Sequence, residues 1–208
     1  DDLMMKVYFT LPSCVPDSKF DEPGEVLVAE QLREYYGNER VLGLAELMDA
    51  HQTIKANEEI LTKIQDAKGF GKIVDGHAPG LRGNQINAYA AAGVQSDHEC
   101  SSMDEALEKL RRGQWIMVRE GTAAKNMEAL LPLCKKPYSN RCMFVTDDRH
   151  PGDLLGDGHM DAIIRKAVGL GIEPVTAIKM CTFNTAQYFN LKESGAVAPG
   201  YRADLAVL

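Results

Sequence analysis

Apolar positions along the chain fall into two alternating patterns. Short runs rich in aliphatic and β-branched residues have the length and composition of buried strands: Met5–Leu11, Val41–Leu47, Lys72–Val74, Gly93–Val94, Trp115–Val118 and Met143–Val145. Lys72–Val74 and Gly93–Val94 are short, and their place in the alternation carries them. Between the runs, apolar residues recur at helical spacing. Met103, Ala106, Leu107 and Leu110 follow a capping box formed by Ser102 and Glu105, and Gly113 supplies the stop. Asn57 caps a helix with Ile60, Leu61, Ile64 and Ala67 on one face, and Asn84 opens another through Ile86, Tyr89 and Ala90. Met127, Leu130, Leu131 and Cys134 mark a further helix, which Pro132 bends or ends early. Met160, Ile163, Ile164 and Ala167 mark the next, closed by Gly169 or Gly171, and Pro174 suits the first turn of one more.

Strand and helix in alternation, with short connections, predict a parallel α/β sheet built with right-handed crossovers. A doubly wound open sheet and a (β/α)8 barrel both fit that order. Two features favour a partial barrel of the TIM type. No glycine-rich dinucleotide loop follows the first strand. Polar residues of chemical interest follow strand after strand, at the carboxyl ends where a barrel gathers its active site. The visible strands do not close an eight-stranded barrel, and an open parallel row leaves edges exposed to aberrant pairing. The chain, which opens at Asp1 without Met, therefore reads as a segment of something longer, or as one completed by another chain. Residues 1–194 form the expected barrel portion. From Gly195 the character changes: Gly195, Pro199 and Gly200 make turns, Ala203–Leu208 reads as a strand, and residues 195–208 look like the start of a small β unit.

Composition narrows the picture. Of 208 residues, 45% are apolar and 25% charged, as in an ordinary globular domain with a real core. The net charge of -7 disfavours nucleic acid as a partner. No apolar run approaches the roughly 18 to 20 residues that span a bilayer, and no leader resembles a signal peptide. Cys14, Cys100, Cys134, Cys142 and Cys181 include no C-x-x-C pair, which fits reduced thiols in a cytoplasmic protein.

The strand ends carry the chemistry. Glu46 lies at the end of the second run, His77 in Asp75-Gly76-His77-Ala78-Pro79-Gly80 after the third, and His98 and Glu99 in Ser96-Asp97-His98-Glu99 after the fourth. Asp147 and Asp148 follow the last, in Thr146-Asp147-Asp148-Arg149-His150. A lone histidine after a strand is more often structural than a ligand. Imidazoles and carboxylates at several strand ends of one barrel are the donor set of a hydrolytic metal centre, in which the ion makes water a nucleophile at neutral pH. His150 and His159 lie further from strand ends and lean structural, and His51 reads as solvated in a polar loop. Cys14, with no paired base in view, is a poor nucleophile candidate. The H-x-E and P-C-x-x-C signature of the zinc nucleobase deaminases is absent.

Six motifs, in order, carry a family resemblance. They are Leu11-Pro12-Ser13-Cys14-Val15-Pro16, Gly43-Leu44-Ala45-Glu46-Leu47-Met48, Val74-Asp75-Gly76-His77-Ala78-Pro79-Gly80-Leu81, Ser96-Asp97-His98-Glu99-Cys100, Val118-Arg119-Glu120-Gly121-Thr122-Ala123-Ala124-Lys125-Asn126 and Val145-Thr146-Asp147-Asp148-Arg149-His150. Together they resemble the bacterial adenine deaminases of the amidohydrolase superfamily over nearly the whole chain. The tail, with Thr182-x-Asn184-x-Ala186 and Pro199-Gly200, is similar to many amidohydrolases that return to a β-sandwich. The resemblance implies a (β/α)8 barrel, hydrolysis of adenine to hypoxanthine and ammonia in purine salvage, and a binuclear divalent centre of manganese or iron, with zinc an option. It implies Glu46, His77, His98 and Asp147 as metal ligands, with Asp147 also the proton acceptor. Glu99 is the candidate to protonate the ring, with Asp148 next; the turn bearing Arg119 and Glu120 is read either as contacting substrate or as an ion-paired loop, and Ser13 is a candidate to line the substrate pocket. It further implies a cytoplasmic homo-oligomer with a purine as its small-molecule partner. The family's His-x-His pair is not found in this chain. Two alternatives stand beside this reading: an incomplete amidohydrolase fragment or scaffold subunit, and an amidohydrolase acting on another cyclic amine or amide.

Overall fold

The computed structural model describes residues 5–18 and 20–207. Among them the chain divides into two units, Asp1–Asp97 with Arg112–Gln114 and His98–Arg111 with Trp115–Leu208. In the first, the alternation becomes β1 (Phe9–Leu11), α1 (Ala29–Arg33), β2 (Val41–Leu47), α2 (Ala50–Ile54), α3 (Glu58–Gly69), β3 (Ile73–Gly76), α4 (Gly83–Ala92) and β4 (Ser96–Asp97). β1, β2 and β3 pair in parallel in that order, with Leu11 beside Leu44 and Leu44 beside Val74. Just before β4, the Gln95 N–H donates to the Val74 carbonyl of β3 at 2.9 Å. Leu44 and Val74 are buried from the strands, and Ile64, Ala67, Ile86 and Tyr89 are buried from the helices over them, giving this unit its own core.

The second unit continues with α5 (Met103–Leu110), β5 (Trp115–Arg119), α6 (Met127–Leu130), β6 (Cys142–Val145), α7 (Pro151–Gly156), α8 (Met160–Gly169), α9 (Pro174–Cys181) and α10 (Phe183–Tyr188). β5 and β6 pair in parallel without a shift, from Ile116 beside Cys142 to Arg119 beside Val145. Ile116, Val118, Phe144, Ile163, Ala177 and Met180 meet in its core. All five cysteines are free, and burial pushes the Cys134 and Cys142 thiols up to about 12. No helix among the described residues is long and apolar enough to cross a membrane.

The expected caps form. The Asn57 side chain accepts from the Ile60 N–H, and the Ser102 hydroxyl from the Glu105 N–H. Pro132 acts as expected: α6 stops at Leu130 and a 3-10 turn covers Leu131–Cys134. Other boundaries move. The Met5–Leu11 run is strand only over its last three residues. The strand expected at Gly93–Val94 forms instead at Ser96–Asp97, because Gly93, at φ 121°, ends α4 in a conformation that only glycine adopts easily. α4 begins at Gly83 rather than with Asn84 as its cap. His51 sits in α2, exposed, rather than in a loop. The expected strand over Ala203–Leu208 has no regular structure across residues 203–207, and Leu208 lies outside the described residues.

Two predictions follow from the packing and the caps. A Cβ on Gly76 would stand 2.1 Å from the Ser96 carbonyl oxygen and 2.7 Å from Val94 Cγ1, whereas one on Gly37 meets nothing within 4 Å. Gly76→Ala should therefore destabilise by about 1–3 kcal/mol in urea denaturation, and Gly37→Ala should change stability by no more than about 0.5 kcal/mol. At α8, the Asp161 carboxylate accepts from the His159 N–H at 2.8 Å and from Arg165 Nη1 at 2.7 Å. Those bonds, the His159 amide first, hold its pKa down at about 2. The stabilisation is present above the ordinary carboxylate pKa and is lost as pH falls through about 2. Asp161→Ala should accordingly weaken the protein at neutral pH, with the difference from the parent vanishing toward pH 2, measured by denaturant midpoints across pH.

Candidate metal and proton-transfer site

In the first unit, β2 and β3 end side by side and bring two of the expected ligands together. Glu46 Oε2 lies 3.0 Å from His77 Nδ1. Their backbones are tied from behind. The Ser13 hydroxyl donates to the Glu46 carbonyl, and the buried Lys63 ammonium donates to the Ser13 carbonyl at 3.1 Å. Ser13 is thus engaged with the strand end, its hydroxyl committed to backbone. Burial first, and then the Glu46 charge, push the Cys14 thiol up, which keeps it in the unreactive form. From the last residue of β3 onward three successive amides donate to side chains: Gly76 to Ser96 Oγ at 3.2 Å, His77 to Tyr89 Oη at 3.0 Å and Ala78 to Asp97 Oδ2 at 2.9 Å.

The second unit gathers the remaining candidates. His98 Nε2 lies 3.5 Å from Glu99 Oε1 and 4.0 Å from Asp147 Oδ1. Between the two carboxylates sits the Arg119 guanidinium, buried at the end of β5. Its Nη1 and Nη2 grip the two Glu99 oxygens, and Nη1 also donates to Asp147 Oδ2 at 3.2 Å. Asn126 steers this arginine, accepting from its Nε at 3.4 Å while donating to the Cys100 carbonyl at 2.8 Å. Asp147 leaves β6 with φ 55°, in the left-handed region that aspartate tolerates better than most residues.

The Arg119-Glu120-Gly121 turn resolves into three separate tasks. Arg119 faces the acidic pair. Glu120 does not join it: its buried carboxylate accepts from the Met127 N–H at 3.0 Å and from Lys166 Nζ at 2.8 Å, between α6 and α8. Gly121 passes so close to the loop after β6 that a Cβ would stand 2.6 Å from the Thr146 carbonyl oxygen and 2.7 Å from that of Asp148. Asp148 is exposed, and its carbonyl accepts from the Thr122 N–H at 2.9 Å. His150 has a structural place, accepting from the Gly152 N–H at the start of α7. Tyr89, Asp97 and Asn126 support the candidate ligands without having stood out in the sequence. The one legible sign was their position inside or beside the ligand motifs.

These donors suit a divalent ion. Metal–ligand bonds from imidazole or carboxylate are about 2.1 Å, so two ligands of one ion lie no further apart than about 4.2 Å. The Glu46–His77 and His98–Asp147 separations, 3.0 and 4.0 Å, both meet that limit. Asp147 can offer Oδ1 on the His98 side while Oδ2 stays with Arg119.

Comparison with known proteins bears on the same residues. The model of the amidohydrolase family matches residues 1–208. The adenine deaminase of Clostridium acetobutylicum is 47% identical over 207 residues, covering 100% of this chain and 36% of that protein. Adenine deaminase 2 of Carboxydothermus hydrogenoformans is 47% identical over 206 residues, covering 99% of this chain and 36% of its own length. The chain thus spans about a third of the length of the curated relatives it matches (36%). Among solved structures, the β-aspartyl dipeptidase of Fervidobacterium islandicum AW-1 superposes with a TM-score of 0.61 at 18% identity, covering 83% of this chain and 54% of that one. At that identity the likeness concerns fold alone, and it agrees with the parallel α/β, part-barrel architecture expected from the alternation.

Gly121→Ala should push the loop bearing Asp147 away from β5, costing about 1–3 kcal/mol in chemical denaturation. Gly24→Ala, where a Cβ meets nothing within 4 Å, is the matched control and should be close to neutral.

Proposed function

The chain belongs to the amidohydrolase family, whose members are metal-dependent, and we propose that the protein carrying it deaminates adenine to hypoxanthine and ammonia. Two observations support the reading: relatives named adenine deaminase at 47% identity, and the meeting of His98, Asp147, Glu99 and Arg119 in one cluster. The cluster carries it, because deamination needs a proton acceptor and a proton donor beside the reacting carbon.

In this reading Glu46 with His77, and His98 with Asp147, would be the residues that hold divalent metal, manganese or iron, with zinc also compatible with the donors. When bound, the metal supplies Lewis acidity and makes water a nucleophile near neutral pH. The Asp147 carboxylate takes the proton released as water attacks C6 of the purine and returns it to the departing amine nitrogen. Glu99 protonates the ring nitrogen, which keeps negative charge from building up on the ring as aromaticity is lost, and recovers a proton from the C6 hydroxyl as the amine leaves and the carbonyl forms. Both Glu99 oxygens accept from Arg119, so protonating Glu99 for this step displaces one of those bonds. Asp148, exposed one residue beyond Asp147, is the alternative donor. Arg119 holds the two carboxylates apart in fixed orientations and balances part of their charge. Glu120 supports this turn from beneath rather than touching substrate. We further propose purine salvage in the cytoplasm as the setting, a homo-oligomer as the assembly, and a β-sandwich contribution from residues 195–208.

Asp147→Asn in the full-length protein should lower kcat for ammonia release from adenine by at least about 100-fold, in line with removal of a general base. Metal content, read by elemental analysis, should stay measurable. Retained deamination with metal bound would remove Asp147 from the role. Ammonia release from other purines and cyclic amides, assayed in parallel, separates adenine from the alternative substrates.

A further inference from the structure

We propose that Tyr89 is a positioning residue for the metal centre, its hydroxyl fixing the backbones that carry Glu46 and His77. The inference rests on the metal-centre reading above. Tyr89 projects from α4 into the core of the first unit and is fully buried. Its Oη donates to the Leu47 carbonyl at 2.7 Å and accepts from the His77 N–H at 3.0 Å. One phenol oxygen therefore joins the residue after Glu46 to the backbone of His77 itself.

The ladder between β2 and β3 cannot do this alone. Its register is interrupted between Leu44 and Leu47, where Glu46 lies, and it ends with Leu47 beside Gly76. From that point on, the chain bearing His77 draws on side-chain acceptors: Ser96 for Gly76, Tyr89 for His77 and Asp97 for Ala78. Tyr89 adds the bond back to β2. A buried hydroxyl among Leu44, Ile64, Val74 and Ile86 is costly unless bonded, and both of its bonds fall at the ends of the ligand-bearing strands. Phenylalanine would fill the same space and leave the His77 N–H and the Leu47 carbonyl without this partner. The 3.0 Å pairing of Glu46 with His77 would then lose the side-chain bridge between its two backbones.

The test uses the metal-free full-length protein titrated with Mn(II), the free ion being followed by electron paramagnetic resonance. Tyr89→Phe should weaken Mn(II) binding by about 10–100-fold, the usual loss when a group that orients a ligand is removed. Ile64→Val, a loss of packing in the same core with no polar bond to either strand, should leave the affinity unchanged. Equal affinity in Tyr89→Phe and the parent would overturn the role of Tyr89 and leave the metal reading standing. An equal loss in Ile64→Val would show general loosening and also overturn it. Absence of Mn(II) uptake by the parent would overturn the metal reading, and this inference with it. Should Tyr89→Phe not fold, amide exchange in the parent decides: slow exchange at His77 supports the bond, and fast exchange there beside protected Gly76 and Ala78 overturns it.

Discussion

Parallel strands run out of partners at their carboxyl ends, and that is where this chain's candidate ligands lie. Inside a ladder each amide finds a carbonyl without help from side chains. Beyond it, an amide that stays buried needs another acceptor. The end of β3 and the two residues after it meet this constraint with Ser96, Tyr89 and Asp97, one for each of three consecutive amides. The second unit answers it with backbone. Glu120 N–H donates to the Val145 carbonyl at 3.0 Å, and Thr122 N–H to that of Asp148 at 2.9 Å. Side chains at these ends can face reactants because the chain beneath them is already satisfied.

The acidic cluster in the second unit shows why arginine, not lysine, suits the end of β5. Two carboxylates and an imidazole lie within one small volume, and like charges at such range repel strongly. A planar guanidinium can engage both Glu99 oxygens and still reach Asp147 with the same Nη1. A lysine ammonium is a single point and would give up the fork. The arginine is itself held from its other edge by Asn126, so its orientation does not depend on the carboxylates alone.

Much of the fold was legible because its signals are local. The Val41–Leu47 run became β2 with the bounds expected, and the caps at Asn57 and Ser102 formed as their spacing suggests. The short helices α1, α2, α7 and α10 escaped notice. At five or six residues they complete too little of a helical period to show an apolar stripe. Among site residues, Glu46 with His77, and His98 with Asp147, follow from chemistry placed at strand ends. For Glu120 the sequence leaves substrate contact and an ion-paired turn both open, because a carboxylate in a motif looks the same whether it faces a pocket or, as its bonds here show, Lys166 and the α6 amide. Tyr89 was read correctly as an apolar-face residue of a helix; its hydroxyl's two bonds depend on the depth to which α4 sits over β2 and β3.

The left-handed turn at Asp147 restricts which amino acids this position can hold, whatever the chemistry asks. Among side chains, aspartate and asparagine enter that region of backbone space most readily. A glutamate would keep the charge yet meet backbone strain and carry its oxygens one methylene further, past both His98 and Arg119. Drift at this site is therefore confined to exchanges that keep the short side chain and change its proton chemistry. Evolution or a designer seeking a new reaction here has far more freedom at the neighbouring Asp148, whose exposed side chain is under no such backbone restriction.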